Sequence, residues 1–174
     1  YRDGDQISAG QYIQPRVEAE IAFVMKHGIE DPNTDPESLA AGIDYAVAAI
    51  EIVDSAVADW RIALVDTIAD NASAAGFVLG EDPQPLAAID LIDATMAMSK
   101  NGSQVSEGIA HACMGNPLNA TLWLARTMVD VGQPLQVGDI VLSGALGPMV
   151  DVAAGDKFEV QIQGFKSLSV KFVE

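Results

Sequence analysis

Cysteine is nearly missing from this chain. Among its 174 residues there is one, Cys113. A lone cysteine excludes an internal disulfide and any cysteine-based zinc site, and makes a reducing cytosol the expected setting. Histidine is almost as scarce. His27 and His111 are the two present, and no His-Glu-x-x-His pair exists. Positive charge is thin as well: nine Lys and Arg against 25 Asp and Glu leave a formal charge of −16. That balance argues against nucleic acid or an anionic membrane as a partner, because both select for cationic patches, and it leaves divalent cations compatible. No apolar run approaches the roughly 20 residues of a membrane span, and none has the form of a signal peptide. A Gly-x-Ser-x-Gly elbow is absent, and "GALG" at 144–147 lacks the Lys-Ser/Thr and the following helix of a phosphate loop, so it reads as a turn.

Hydrophobic residues make up 49% of the chain and mean hydropathy is +0.22, which argues for a folded core and one domain spanning 1–174. The chain opens "YRDGDQ" without a methionine, which points to an upstream segment. Asp35 as N-cap, Pro36 and Glu37 start a helix, and Leu39, Ile43, Ala46, Val47 and Ile50 carry it to about residue 48. The β-branched "AIEIVDS" that follows reads as a strand. "DNASAAG" at 70–76 reads as a loop of small residues, and Asn101-Gly102 as a hairpin turn between two strands. In "GNPLNATLWLARTMVDVGQP", Asn116 caps a second helix, Pro117 begins it, and Gly132 and Pro134 end it. Strands and turns fill the remainder, with Gly-Asp at 138–139 and 155–156 each launching an apolar run. The expected class is α+β, rich in strands, with two main helices.

Within this frame, "QPRVEAEIAF" (14–23) sets two carboxylates into an apolar strand. Side chains alternate faces, so Val17, Ala19, Ile21 and Phe23 share one face while Glu18 and Glu20 point together from the other. Glu51 stands in a second apolar strand. Spacing alone leaves open a solvated face, a Lys or Arg placed between the carboxylates, or a divalent cation such as Mg²⁺, Mn²⁺ or Ca²⁺, for which oxygen ligands suit. His111, beside Ala and Cys in "GIAHACMG", and Cys113, with no basic neighbour, read as structural.

"QPRVEAEIAFV", "AIEIVDSAVADW", "VDTIADNASAAGFVLG", "GNPLNATLWLA" and "GDIVLSGALGPMVDVAAGDKFEVQIQG" together resemble the 2-keto-4-pentenoate hydratases (2-hydroxypenta-2,4-dienoate hydratases) of the fumarylacetoacetate hydrolase superfamily, collinearly over nearly the whole chain. The resemblance implies a β-sandwich or roll of the fumarylacetoacetate hydrolase C-terminal type. It also implies Glu18, Glu20 and Glu51 as ligands of Mg²⁺ or Mn²⁺, and Glu18 and Asp70 as catalytic residues. Asn71, Ala72, Ser73 and Ala74 would line the substrate pocket beside the small Gly76, with Gly144 and Ala145 of "SGALG" as a second wall. The implied reaction adds water to 2-hydroxypenta-2,4-dienoate, giving 4-hydroxy-2-oxopentanoate in the meta-cleavage catabolism of aromatic compounds. A cytoplasmic homo-oligomer follows from the same likeness, with the next enzyme of the pathway as a candidate partner. Two departures bear on it. Relatives often have a basic residue where this chain has Ala56, and they carry an N-terminal segment with a lysine in a Gly-x-Lys-x-Gly stretch that is not found here. A 4-oxalocrotonate-type decarboxylase of the same fold and a non-catalytic assembly partner are the competing expectations.

Overall fold

In the computed structural model, which describes residues 1–174, alternation dictates the layout. Two five-stranded sheets share one core. The first holds β2 (Pro15–Met25), β3 (Ile43–Asp54), β4 (Ala74–Leu79) and β7 (Ile140–Leu142) in the order β4-β3-β2-β7, with β8 (Val150–Asp151) also paired to β2. The second runs β1-β10-β9-β5-β6, from β1 (Gln6–Ser8), β10 (Leu168–Val173), β9 (Lys157–Ile162), β5 (Thr95–Lys100) and β6 (Ser103–Ile109). Val17, Ala19, Ile21 and Phe23 of β2 and Ala46, Ala48, Ile50 and Ile52 of β3 face inward. They join Met96, Met98, Phe158, Val160, Ile162, Val170 and Phe172 of the second sheet in one buried cluster. The period of two thus sends one face of β2 and β3 into this core and commits Glu18, Glu20 and Glu51 to the other, where Ala22, Val47 and Ala49 form a second, smaller buried cluster.

Helix α1 (Pro36–Gly42) starts where expected, with Asp35 accepting from the Ser38 amide, but it is only seven residues long. The expected helix to residue 48 is corrected here. Ile43 already has extended geometry, and residues 43–48 are the first half of β3, in register with Met25 through Ile21 of β2. In "IDYAVAAI" the apolar spacing satisfies both a helical and an alternating pattern, and pairing with the buried β2 decides between them. The anticipated strand at 49–55 is the second half of the same element. A third, unforeseen helix, α2 (Leu64–Ala69), leaves Leu64, Val65 and Ile68 exposed. Helix α3 (Pro117–Asp130) has the expected cap, Asn116 accepting from the Leu118 amide. The Asn101-Gly102 turn joins β5 to β6 with φ of 54° and 83°, the left-handed pair such a hairpin requires. No helix is long and apolar enough to cross a membrane.

Candidate metal centre

Pairing of β2 with β3 places Glu18 directly opposite Glu51, with Glu20 one alternation further along β2. One ligand oxygen from each of the three lies within 4.8 Å of the others. Cross-strand register, which no local pattern reveals, therefore gathers carboxylates more than thirty residues apart.

The segment after β7 holds Glu20 in place. Ser143 donates its amide to Ile21 O at 3.1 Å and Leu146 donates to Ala19 O at 3.0 Å, so the chain crosses over Glu20 between two anchors. There the Gly144 N–H donates to Glu20 Oε2 at 2.7 Å. Gly144 has φ +113°, and a Cβ on it would stand 3.1 Å from Cys113 Sγ. Cys113 is buried in the core, as expected, and its thiol donates to Ser143 O. The Ser143 hydroxyl is buried and has no hydrogen-bond partner. Neither Cys113 nor Ser143 is marked by any sequence signal, since their neighbourhood depends on this crossing.

The electrostatics suit a cation. Burial, then the Glu51 charge, pushes Glu18 up to about 7. Glu20, 1% exposed, is pushed to about 9, chiefly by burial and then by Glu51, with the Gly144 amide opposing. Burial also raises Glu51, and a shared proton from Glu20 offsets part of that rise. Cys113 is raised by burial first and by Glu20 second. None of the five ion pairs reaches the three carboxylates. Arg16 shares their face of β2, yet its guanidinium bonds to Asp151 at 2.7 Å and lies over the Trp60 ring at 4.5 Å. Three hard oxygen donors without a Lys or Arg counter-ion fit Mg²⁺, Mn²⁺ or Ca²⁺.

Asp70 to Ser73 lead into β4, whose Ala74 pairs with Val53, two residues along β3 from Glu51. Asp70 accepts from the Ala56 amide at 3.1 Å and from the buried Ser73 hydroxyl at 2.8 Å, and these bonds hold its carboxyl below the usual range. Asn71, Ala72 and Ser73 form a turn with φ of 52°, 58° and 56°. Three successive left-handed residues store strain of about 1–2 kcal/mol each, which Asp70 helps to restrain. Asn71, Ala72 and Ala74 are exposed; Gly144 and Ala145 are half-buried. His111 is exposed on a short turn apart from these groups.

A pH dependence follows for the metal-free protein. Glu18 and Glu20 hold protons in the folded state at about 7 and about 9 that the unfolded chain releases near 4.5. In that window the native state binds more protons, so stability falls as pH rises from about 4.5 to about 9. Thermal melts in EDTA should lose several degrees between pH 5.5 and pH 8.5, and Mg²⁺ should restore more at the higher pH. A metal-free melting temperature that is flat or rises across this range contradicts the assignment of these two groups.

A family model described as fumarylacetoacetate (FAA) hydrolase C-terminal matches residues 1–173. The chain is 49% identical over 170 residues to 2-keto-4-pentenoate hydratase 1 of Dechloromonas aromatica, covering 98% of this chain and 65% of that protein. It is 48% identical over 172 residues to the TodF product hydratase of Pseudomonas putida F1, covering 99% of this chain and 64% of that protein. Among solved structures, 4-oxalocrotonate decarboxylase of Pseudomonas putida G7, complexed with magnesium and adipate, superposes with a TM-score of 0.94 at 31% identity. That match covers 99% of this chain and 65% of the decarboxylase. The chain thus spans just under two thirds of the length of these proteins.

Proposed function

Because the chain belongs to the fumarylacetoacetate hydrolase family, whose C-terminal model it matches over residues 1–173, we propose that it is a metal-dependent hydratase adding water to 2-hydroxypenta-2,4-dienoate to form 4-hydroxy-2-oxopentanoate. The observation that carries this reading is the cluster of Glu18, Glu20 and Glu51 without a counter-cation. Identity near one half with proteins named hydratases, against 31% with the decarboxylase, favours hydration over loss of CO₂.

In this reading the three carboxylates hold Mg²⁺ or Mn²⁺, which when bound supplies Lewis-acid polarisation of a 2-oxo acid. Glu20 is kept in register by the Gly144 amide. Asp70 retains its charge and orients the wall through Ser73, and Glu18 and Asp70 are the carboxylates this reading places at the reaction. Exposed Asn71, Ala72 and Ala74 contact the substrate on one side, and Gly144 and Ala145 on the other. The small side chains at these positions suit a short, unsubstituted diene. A cytoplasmic setting and a homo-oligomer belong to the same reading, and light scattering at micromolar concentration should find more than a monomer.

Turnover is the test. With Mg²⁺ or Mn²⁺ the full-length protein should remove the ultraviolet absorbance of the dienol, yield 4-hydroxy-2-oxopentanoate, and release no CO₂ from 4-oxalocrotonate. Release of CO₂ without hydration would transfer the function to the decarboxylase reading, which the close superposition supports. No turnover of either compound would favour a non-catalytic assembly role.

A further inference from the structure

We propose that Cys113 is a positioning residue for Glu20, acting through the peptide bond between Ser143 and Gly144; the proposal rests on the reading of Glu20 as a metal-holding carboxylate. Two hydrogen bonds already described meet on one rigid group. The carbonyl of Ser143 and the N–H of Gly144 belong to the same peptide plane and point in opposite directions. Cys113 Sγ donates to that carbonyl at 2.7 Å, and that N–H donates to Glu20 Oε2 at 2.7 Å. The plane is therefore held at both ends, by a thiol behind and a carboxylate in front.

This plane is the one in need of holding. The anchors of the crossing, Ser143 N on Ile21 O and Leu146 N on Ala19 O, lie on either side and leave the intervening peptides without backbone partners of their own. Gly144, at φ +113°, has no Cβ to resist rotation. A donor on the carbonyl also polarises the amide and strengthens its N–H toward the carboxylate. Ser143's own hydroxyl makes no hydrogen bond, so the thiol is the side-chain donor that acts here. Cys113 is itself fixed: its amide donates to Ala110 O, and its carbonyl accepts from Asn116 N at the start of α3. Its sulfur fills the volume that a side chain at position 144 would need, 3.1 Å from the ideal Cβ. Glycine at 144 and cysteine at 113 are thus one fitted pair.

Two variants and two readouts test this. In the ¹⁵N-labelled metal-free protein, Cys113→Ala should shift the Gly144 amide proton upfield, because its bond to Glu20 weakens. Calorimetric titration should show Mn²⁺ bound about tenfold more weakly, the scale found when a partner behind a metal ligand is removed. Cys113→Ser, which keeps a donor in place, should leave both close to wild type. Rescue by serine separates donation from packing. An unmoved Gly144 resonance with wild-type Mn²⁺ affinity in Cys113→Ala would overturn the proposal, and so would a serine variant that behaves like the alanine one. If the unmutated protein binds no Mn²⁺ while the Gly144 resonance still responds to Cys113→Ala, the metal reading fails and the positioning of Glu20 stands.

Discussion

Glu20→Gln is expected to abolish stoichiometric Mg²⁺ or Mn²⁺ binding and, in the same molecule, to raise the melting temperature of the metal-free protein. The two effects share one cause. Glu20 is 1% exposed and lies within 4.8 Å of two other carboxylates. At that separation, and an effective dielectric near 20, two unit charges repel by about 3 kcal/mol. A bound cation offsets this repulsion; without one the protein retains protons instead. Glutamine is nearly isosteric, its carbonyl oxygen still accepts from the Gly144 amide, and its amide group can replace the proton shared with Glu51. The crossing is preserved, while a buried carboxyl that must hold a proton up to about pH 9 in the folded state is replaced by a group that is always neutral. Affinity should fall by on the order of 100-fold or more, since a ligand, not merely its partner, is lost. Titration calorimetry that found unchanged binding would remove Glu20 from the centre, and a metal-free form less stable than wild type would show that burying an ionisable group at position 20 is not what costs the metal-free protein stability.

Such a site is partly visible in sequence. Alternation along "RVEAEIAF" already sends Glu18 and Glu20 away from Val17, Ala19, Ile21 and Phe23, and the buried cluster bears out that division. The ends of helix α3 and the Asn101-Gly102 turn were equally legible, because a capping side chain and a left-handed pair are local chemistry. Glu51 also stood out as a carboxylate in an apolar strand, and the family resemblance joined it to the other two as a ligand. Its position opposite Glu18 is a matter of register, fixed by eleven paired positions along β2 and β3. Local signals failed where two periods coincide. From Ile43 to Ile50 the apolar residues fit a helix or a strand, and only the partner strand decides. Helix α2 escaped notice for the opposite reason, since Leu64, Val65 and Ile68 lie on its exposed surface and form no inward stripe. The family resemblance named Gly144 as a pocket wall, but its bond to Glu20 and the Cys113 thiol behind it were beyond reach, because the amide on Glu20 comes from 124 residues away.

That long-range contact depends on a close approach between Gly108 and Gly147, and Gly108→Ala is expected to destabilise the protein by about 3 kcal/mol or more and to weaken Mn²⁺ binding with it. Gly108 lies in β6 with ordinary backbone geometry, so alanine there meets no conformational penalty and would even favour folding by roughly 0.5 kcal/mol through the unfolded chain. The cost comes from space alone. An ideal Cβ at 108 would stand 1.8 Å from the carbonyl oxygen of Leu146 and 3.0 Å from the Cα of Gly147. From the other side, a Cβ at 147 would come within 2.7 Å of the Glu107 carbonyl oxygen. At position 108 every one of the nearest atoms is backbone, so no flexible side-chain end can yield there. Making room means parting the strands, breaking the bond from Ile109 N to Leu146 O and pulling Leu146 from Ala19. The same displacement withdraws Gly144 from Glu20, so stability and metal affinity should fall together. Gly10→Ala, where the nearest atom is an ordinary 3.6 Å away, serves as the comparison and should be close to neutral. Urea denaturation and Mn²⁺ titration of both variants decide the matter. If Gly108→Ala kept the wild-type midpoint, the crossing would be looser than these distances require, and the placement of Gly144 on Glu20 would need another cause.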